Sequence, residues 1–228
     1  LPMTHDTVNF VRIEAATLKL AALAGLEVPD FRIVEVGNTE ALLVRRFDVS
    51  DPPICGGRSH IISLATLLGA DNFYNFGYAD IADVLRRVSD HPKMDLISIF
   101  RLATFNALIG NTDDHLKNFA MRHDDRGWRL APCYDLLPDV AHRTEHVLRF
   151  GLRGNRPDFQ ALIELGRQTG LSSDRAISAL EAVSRAVETW EPVFRSYNVP
   201  GIDLESLRPS IDDRLSRCAP ELPGVRLR

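Results

Sequence analysis

Two stretches decide how this chain is read: Leu108-Ile109-Gly110-Asn111-Thr112-Asp113-Asp114-His115-Leu116-Lys117-Asn118-Phe119-Ala120-Met121, and Trp128-Arg129-Leu130-Ala131-Pro132-Cys133-Tyr134-Asp135-Leu136-Leu137-Pro138. The first follows a strongly apolar run, Met94–Ile109, that reads as the central buried helix. Between the two, Asp124-Asp125-Arg126-Gly127 is a turn joining strands expected at Phe119–His123 and Trp128–Ala131. A hairpin there returns the chain to its start, so Asp135 comes back beside Asp113 and Asn118. Two carboxylates and an amide oxygen at one spot suit Mg²⁺, a hard cation that keeps waters and bridges phosphates. An Asp, an Asn five positions on, a hairpin and a second Asp is the layout of a phosphoryl-transfer loop. In that template the first Asp orients the attacking hydroxyl, and the Asn and second Asp hold metal against the phosphates. The spacing D-x-x-x-x-N alone is weak, because a helix end running into an Asp/Asn-rich turn also produces it.

Working outward, Asn9–Ala24 reads as a helix with Gly25 as its stop. Two strands follow, Phe31–Val36 and Ala41–Phe47, joined by Gly37-Asn38-Thr39-Glu40. Asp48–Gly57 is polar and rich in Pro and Gly, the best place for a boundary between lobes. Helical periodicity covers Ser59–Leu68 and Tyr78–Val88. Beyond the hairpin, helices are expected over Asp158–Leu165 with Gly166 as the stop, over Ser173–Tyr197 bent or ended at Pro192, and over Asp203–Cys218. Ile177, Leu180, Val183 and Val187 form an apolar stripe that continues to Trp190 and Phe194, most simply a core face. Asp212-Asp213-Arg214 reads as a solvated face.

Composition narrows the class. With 228 residues, 45% apolar and 25% charged, the chain can bury a sizeable core and is not a disordered one. A net charge of −4 gives no argument for direct nucleic-acid binding. No apolar run is long enough to span a membrane, and the N-terminus has no signal-peptide pattern, so a cytoplasmic protein is expected. Cys55, Cys133 and Cys218 are odd in number and form no CxxC pair, as reduced thiols would.

The run LIGNTDDHLKNFAM…WRLAPCYDLLP resembles the signature of the HipA-type toxin kinases, bacterial serine/threonine kinases of toxin–antitoxin modules. Two further segments support it: Leu43-Val44-Arg45-Arg46-Phe47-Asp48 resembles the family's lobe-linking segment, and Glu14 with the downstream Ala-Gly-Leu-Glu-Val-Pro resembles its first helix. The motifs cover roughly residues 8–138; the helical tail carries no signature of its own.

The resemblance implies an α+β, protein-kinase-like bilobal fold, with a truncated N-lobe hairpin over residues 1–47 and a mostly helical C-lobe over residues 48–228. It implies ATP and Mg²⁺ as cofactors and transfer of the γ-phosphate to a protein Ser or Thr. Asp113 is then the catalytic base, and Asn118 and Asp135 are metal ligands. Glu14 is the acidic partner of an ATP-binding lysine, and Arg46, Phe47 and Asp48 belong to the adenine pocket. His115 or Lys117 would supply a donor to phosphate. An aminoacyl-tRNA synthetase or another translation-linked target, and a HipB-like DNA-binding antitoxin, are the implied partners.

One departure matters. Of 27 Lys and Arg only Lys19, Lys93 and Lys117 are lysines, and none precedes Glu14. Lys19 is five residues after Glu14 on one helix, roughly 140° around the axis, and cannot stand in for a strand lysine. The chain is therefore expected to begin just after the lysine strand and, alone, to be nearly inactive.

Three other readings compete. His142-Arg143-Thr144-Glu145-His146 matches H-x-x-E-H, a zinc-peptidase pattern, but that chemistry needs a helix, and Pro138 before it with strand-like Val147–Phe150 after it argues for a loop. A small-molecule phosphotransferase would show His-Gly-Asp where this chain has Asn-Thr-Asp. A catalytically inactive scaffold binding an antitoxin would have no need for all of Asp113, Asn118 and Asp135.

Overall fold

The computed structural model describes residues 8–49, 57–70 and 75–219. Leu1-Pro2, Cys55 and most of the expected boundary stretch lie outside these residues. The Asn9 side chain accepts from the Arg12 amide and starts α1 (Phe10–Leu23), and Gly25, at φ 79°, follows its end. Strands β1 (Phe31–Val36) and β2 (Thr39–Val44) pair antiparallel, with Phe31 opposite Val44 and Val36 opposite Thr39. The turn is two residues, Gly37-Asn38, rather than the expected four, because Gly37 takes the positive φ a tight hairpin needs. So β2 starts at Thr39, and it ends at Val44 instead of Phe47. Phe47 has turned away, its carbonyl accepting from the Arg122 guanidinium at 3.2 Å.

The helix expected over Ser59–Leu68 is instead β3 (His60–Ser63) followed by one turn, α2 (Leu64–Leu67), which Ser63 caps. The β-branched Ile61 and Ile62 pair with an edge distant in sequence, and that pairing overrides the local periodicity. Next come α3 (Tyr78–Val88) as expected and α4 (Pro92–Ile109), which starts two residues early because Pro92 suits a first helical turn. Strands β4 (Ala120–Asp124) and β5 (Gly127–Leu130) close a sheet of order β3-β4-β5, with Ile62 opposite Met121 and Met121 opposite Leu130. The expected strand at Val147–Phe150 reduces to one bridge between Arg149 and Gly77.

The last helices are α5 (Phe159–Gln168), α6 (Ser173–Val187), α7 (Trp190–Ser196) and α8 (Gly201–Cys218). Gly166 does not stop α5. It lies inside the helix, where an added Cβ would sit 2.6 Å from that of Ala176, so its role is close packing; Gly170, at φ 83°, follows the helix end. The break after α6 falls at Glu188–Thr189, and Pro192 sits in the first turn of α7, where its missing N–H has no helical acceptor. Arg214 contradicts the solvated-face reading: it is 2% exposed.

One continuous apolar core runs from Ile13 and Leu20 of α1 through Ile99, Phe100 and Phe105 of α4 to Leu180, Val183, Trp190, Phe194 and Ile211. Trp190 and Phe194 meet edge-to-face at 5.6 Å, on the expected shared face. A bidentate Arg12–Glu40 pair (2.7 and 2.6 Å) ties α1 to β2.

Candidate active site

The site grows out of the C-terminal end of α4. Gly110, at φ 81°, releases the chain from the helix; a Cβ there would press on Arg214 Nε at 2.9 Å. The loop that follows has no regular structure, and its two adjacent aspartates part company. Asp113 is exposed and Asp114 fully buried. A short 3-10 turn over Leu116–Asn118 then brings the Asn118 amide nitrogen to the Asp113 carbonyl at 3.1 Å. With its N–H₂ so engaged, Asn118 keeps its amide oxygen as an acceptor.

The β4–β5 hairpin brings Asp135 to the same place. Asp135 stands at φ 56°, a left-handed conformation that costs a non-glycine residue on the order of 1 kcal/mol. Asp113, Asn118 and Asp135 line one cleft of about 240 Å³, with Thr112, Asp139 and Arg143 also in its wall. Among the described residues no three or more His, Cys, Asp or Glu side chains form a metal-holding group. Of the three carboxylates in the wall, Asp139 accepts from the amides of Ala141 and Arg143, which leaves those of Asp113 and Asp135 and the Asn118 amide oxygen as the donor set. That donor set fits Mg²⁺, which takes few protein ligands and shares the rest with water and phosphate.

Behind the loop lies a buried polar relay that sequence reasoning did not find. The Asp114 carboxylate accepts from the Tyr78 hydroxyl (2.7 Å) and from the amides of Val147 (3.0 Å) and Leu148 (3.2 Å). It also lies 3.0 Å from His146 Nδ1. On the other side of the ring, His146 Nε2 meets Arg214 Nη1 at 3.1 Å. An arginine only donates, so Nε2 carries the lone pair and Nδ1–H donates to Asp114; His146 is neutral. Asn106 donates to the Tyr78 oxygen (2.9 Å) and accepts from Asn111 (3.1 Å). Burial, then the Asp114 charge, raises the Tyr78 phenol well above its ordinary value. The loop is thus pinned from below by α3, α4 and α8. The Asp113-Asp114 doublet was in view; nothing in its spacing pointed to residues 146 or 214.

The other expected site residues are more scattered. Glu14 faces this region from α1. Burial first, and the Asp135 charge second, raise its pKa above the ordinary value. Phe47 stacks on Tyr134, ring centroids 5.7 Å apart at 27°, and the Tyr134 hydroxyl donates to the Lys117 carbonyl at 2.9 Å. This chain of contacts joins the lobe-linking segment to the loop. Burial and the Asp135 charge push the Tyr134 phenol up to about 12. Arg46 and Asp48 bond each other bidentately (2.9 and 2.6 Å). His115, half-buried, and Lys117, exposed, are not among the residues lining the cleft. Residues His142–His146 form no helix: His142 is exposed at φ 55° while His146 is in the relay, so the zinc-peptidase geometry is not made.

Small antiparallel sheets beside a mostly helical body, with an Asp/Asn/Asp cleft after the central helix, define a kinase-like fold. Comparisons agree. The sequence matches the HipA-like C-terminal domain family over residues 2–190, and the chain belongs to that family. It is 32% identical over 144 residues to the serine/threonine-protein kinase toxin HipA of Shewanella oneidensis, covering 54% of this chain and 33% of that protein. The matched stretches span between 32% and 47% of the curated relatives' lengths. Among solved structures, a chain of the Shewanella oneidensis HipA, HipB and operator DNA complex superposes with a TM-score of 0.74 at 20% identity, covering 94% of this chain and 56% of that one. The Helicobacter pylori proinflammatory kinase CtkA gives 0.61 at 12% identity, covering 93% and 85%. Among the described residues no helix is long and apolar enough to cross a membrane.

Proposed function

We propose that this chain carries the catalytic face of an ATP-dependent serine/threonine protein kinase of a toxin–antitoxin module. The observation that carries this reading is the convergence of Asp113, Asn118 and Asp135 on one cleft. Bound Mg²⁺–ATP would supply the transferable phosphoryl group and neutralise its charge. Asn118 and Asp135 would hold the metal through their oxygens. Asp113, exposed and anchored through its own backbone by Asn118, would orient the substrate hydroxyl and accept its proton. Glu14, held half-buried near Asp135, would take the charge of an ATP-binding lysine from the upstream strand. The hinge would present adenine with backbone groups around Phe47. The amide of Arg45 and the carbonyls of Phe47 and Asp48 already bond within the protein. His115 or Lys117 would reach phosphate only after moving toward the cleft. A cytoplasmic setting, a translation-linked protein target and a HipB-like antitoxin partner complete the proposal.

The test is labelling with radioactive ATP and Mg²⁺ of the protein extended upstream through the lysine strand, beside Asp113→Ala. Label that the variant abolishes supports the reading. ATP binding without labelling of itself or of added protein favours an inactive scaffold, and no ATP binding overturns the kinase reading.

A further inference from the structure

Helix α1 is held in two different ways along its length. From Ala15 to Ala21 every residue except Lys19 is buried, so packing fixes that half. Nearer its start Phe10, Val11, Arg12 and Glu14 are only half-buried, and polar contacts take over. Arg12 is their centre. Its guanidinium holds both Glu40 oxygens (2.7 and 2.6 Å) and gives Nη1 to the carbonyls of Asn198 (2.9 Å) and Tyr197 (3.5 Å). One side chain thus joins α1 to the β1–β2 hairpin and to the turn between α7 and α8. Asn9 repeats the bridge: its amide donates to Asp203 of α8 at 3.1 Å and its side chain to Glu40 at 3.4 Å. The rings of Phe31 and Tyr197, 6.2 Å apart, join the same two regions directly. A bidentate arginine–carboxylate pair is directional, so it fixes orientation as well as distance.

This grip lies on the side of α1 away from the cleft. Arg12 and Glu14 are two residues apart, roughly 200° around the helix, and so lie on opposite sides. Phe10 and Glu14, one turn apart, share a side. Phe10 lines the Asp113 cleft, and the Asp135 charge reaches Glu14. We propose that Arg12 is a positioning residue of the nucleotide site: by holding Glu40 and the α7–α8 carbonyls on one side of α1, it sets the angle at which Glu14 is presented on the other. This role rests on the kinase reading, in which Glu14 takes the charge of an ATP-binding lysine. Arg12 itself does not line the cleft.

The test is a double-mutant cycle on the protein extended upstream through the lysine strand. Mg²⁺–ATP is titrated calorimetrically into the parent, Arg12→Met, Glu14→Gln and the two combined, all well below their melting temperatures. Arg12→Met is expected to weaken ATP binding about three- to tenfold, a usual size for coupling within one network. In the Glu14→Gln background the same change is expected to cost nothing further, because its effect passes through Glu14. Arg12→Lys keeps the charge without the fork and should recover only part of the affinity. Should Arg12→Met fail to fold, Glu40→Ala breaks the grip from the hairpin side and takes its place in the cycle. Losses that add, or an unchanged affinity in Arg12→Met, reduce Arg12 to a structural tie and overturn the role while leaving the kinase reading intact. Absence of ATP binding by the parent overturns the kinase reading, and this role with it.

Discussion

His146 donates Nδ1–H to the buried Asp114 carboxylate at 3.0 Å, which fixes the ring as the neutral tautomer and places the second half of the Asp113-Asp114 doublet under the control of a residue 32 positions away. Asp114→Ala would strand the Tyr78 hydroxyl, the His146 ring and the Leu148 amide at once, while the Val147 amide keeps the Thr112 carbonyl at 3.1 Å. Each unsatisfied buried donor costs about 1–3 kcal/mol, so a loss on the order of 3–5 kcal/mol is expected. For a chain of this size that lowers the melting temperature by roughly 10 °C. Urea unfolding of the variant checks it, and a loss below about 1 kcal/mol would contradict the relay.

Asp113→Ala should behave in the opposite way. The side chain is exposed and its carbonyl, not its carboxylate, holds Asn118. Stability should stay within about 0.5 kcal/mol of the parent. On the kinase reading, phosphoryl transfer by the longer protein should fall about 10²–10⁴-fold, the usual contribution of a general base. Parallel melting curves and labelling rates separate the two neighbouring aspartates.

Asp135 can be probed through its backbone. At φ 56° a glycine is relaxed and an alanine strained. Asp135→Gly is therefore expected to be more stable than Asp135→Ala by about 1 kcal/mol, although glycine costs more unfolded-state entropy. Both should lose Mg²⁺-dependent nucleotide binding if Asp135 is a ligand, measured by calorimetry on the longer protein.

What could be read in advance was local. Helices α1, α3 and α4 announce themselves by apolar spacing, and α1 by Gly25 at its end, whereas Pro92 as the start of α4 and Asn9 as the cap of α1 went unread. The Asp113, Asn118 and Asp135 set was legible because the hairpin between them is short and carries its own turn. Strand β3 was not, since His60–Ser63 becomes a strand only against β4, some sixty residues on. Gly166 looked like a stop because its real task, admitting Ala176, is set by another helix. Arg214 looked like a surface charge because its partners, His146 and the carbonyls of Ala107 and Arg143, are 68 or more residues away.

Gly166 sets two effects against each other. Alanine in a helix interior is favoured over glycine by about 1 kcal/mol. An added Cβ, however, would lie 2.6 Å from the Ala176 Cβ and 3.4 Å from the Phe100 ring, so α5 and α6 must part. Overpacking of that kind costs about 1–3 kcal/mol. The clash should win, and Gly166→Ala should destabilise by about 1 kcal/mol net in thermal unfolding. Gly166→Ala combined with Ala176→Gly should recover most of the loss, which a purely local helix effect would not allow.

Glu14 makes the fold sensitive to pH. Its pKa is raised in the native state, by burial first and by the Asp135 charge second. Above that raised value the carboxylate is charged both in the folded and in the unfolded chain, and the folded chain bears the cost. As the pH falls through the native value, the folded carboxyl takes up a proton before the unfolded one does, and the cost disappears on the way to the ordinary value of 4.5. Glu14→Gln is therefore expected to melt higher than the parent at neutral pH, with an advantage that shrinks as the pH falls through the raised native value toward the ordinary 4.5. Asp135→Asn should shrink the same advantage at neutral pH, because the two carboxylates oppose each other. A melting difference that does not change with pH would show that Glu14 takes up its proton alike in the folded and unfolded chain, and would overturn the raised native value.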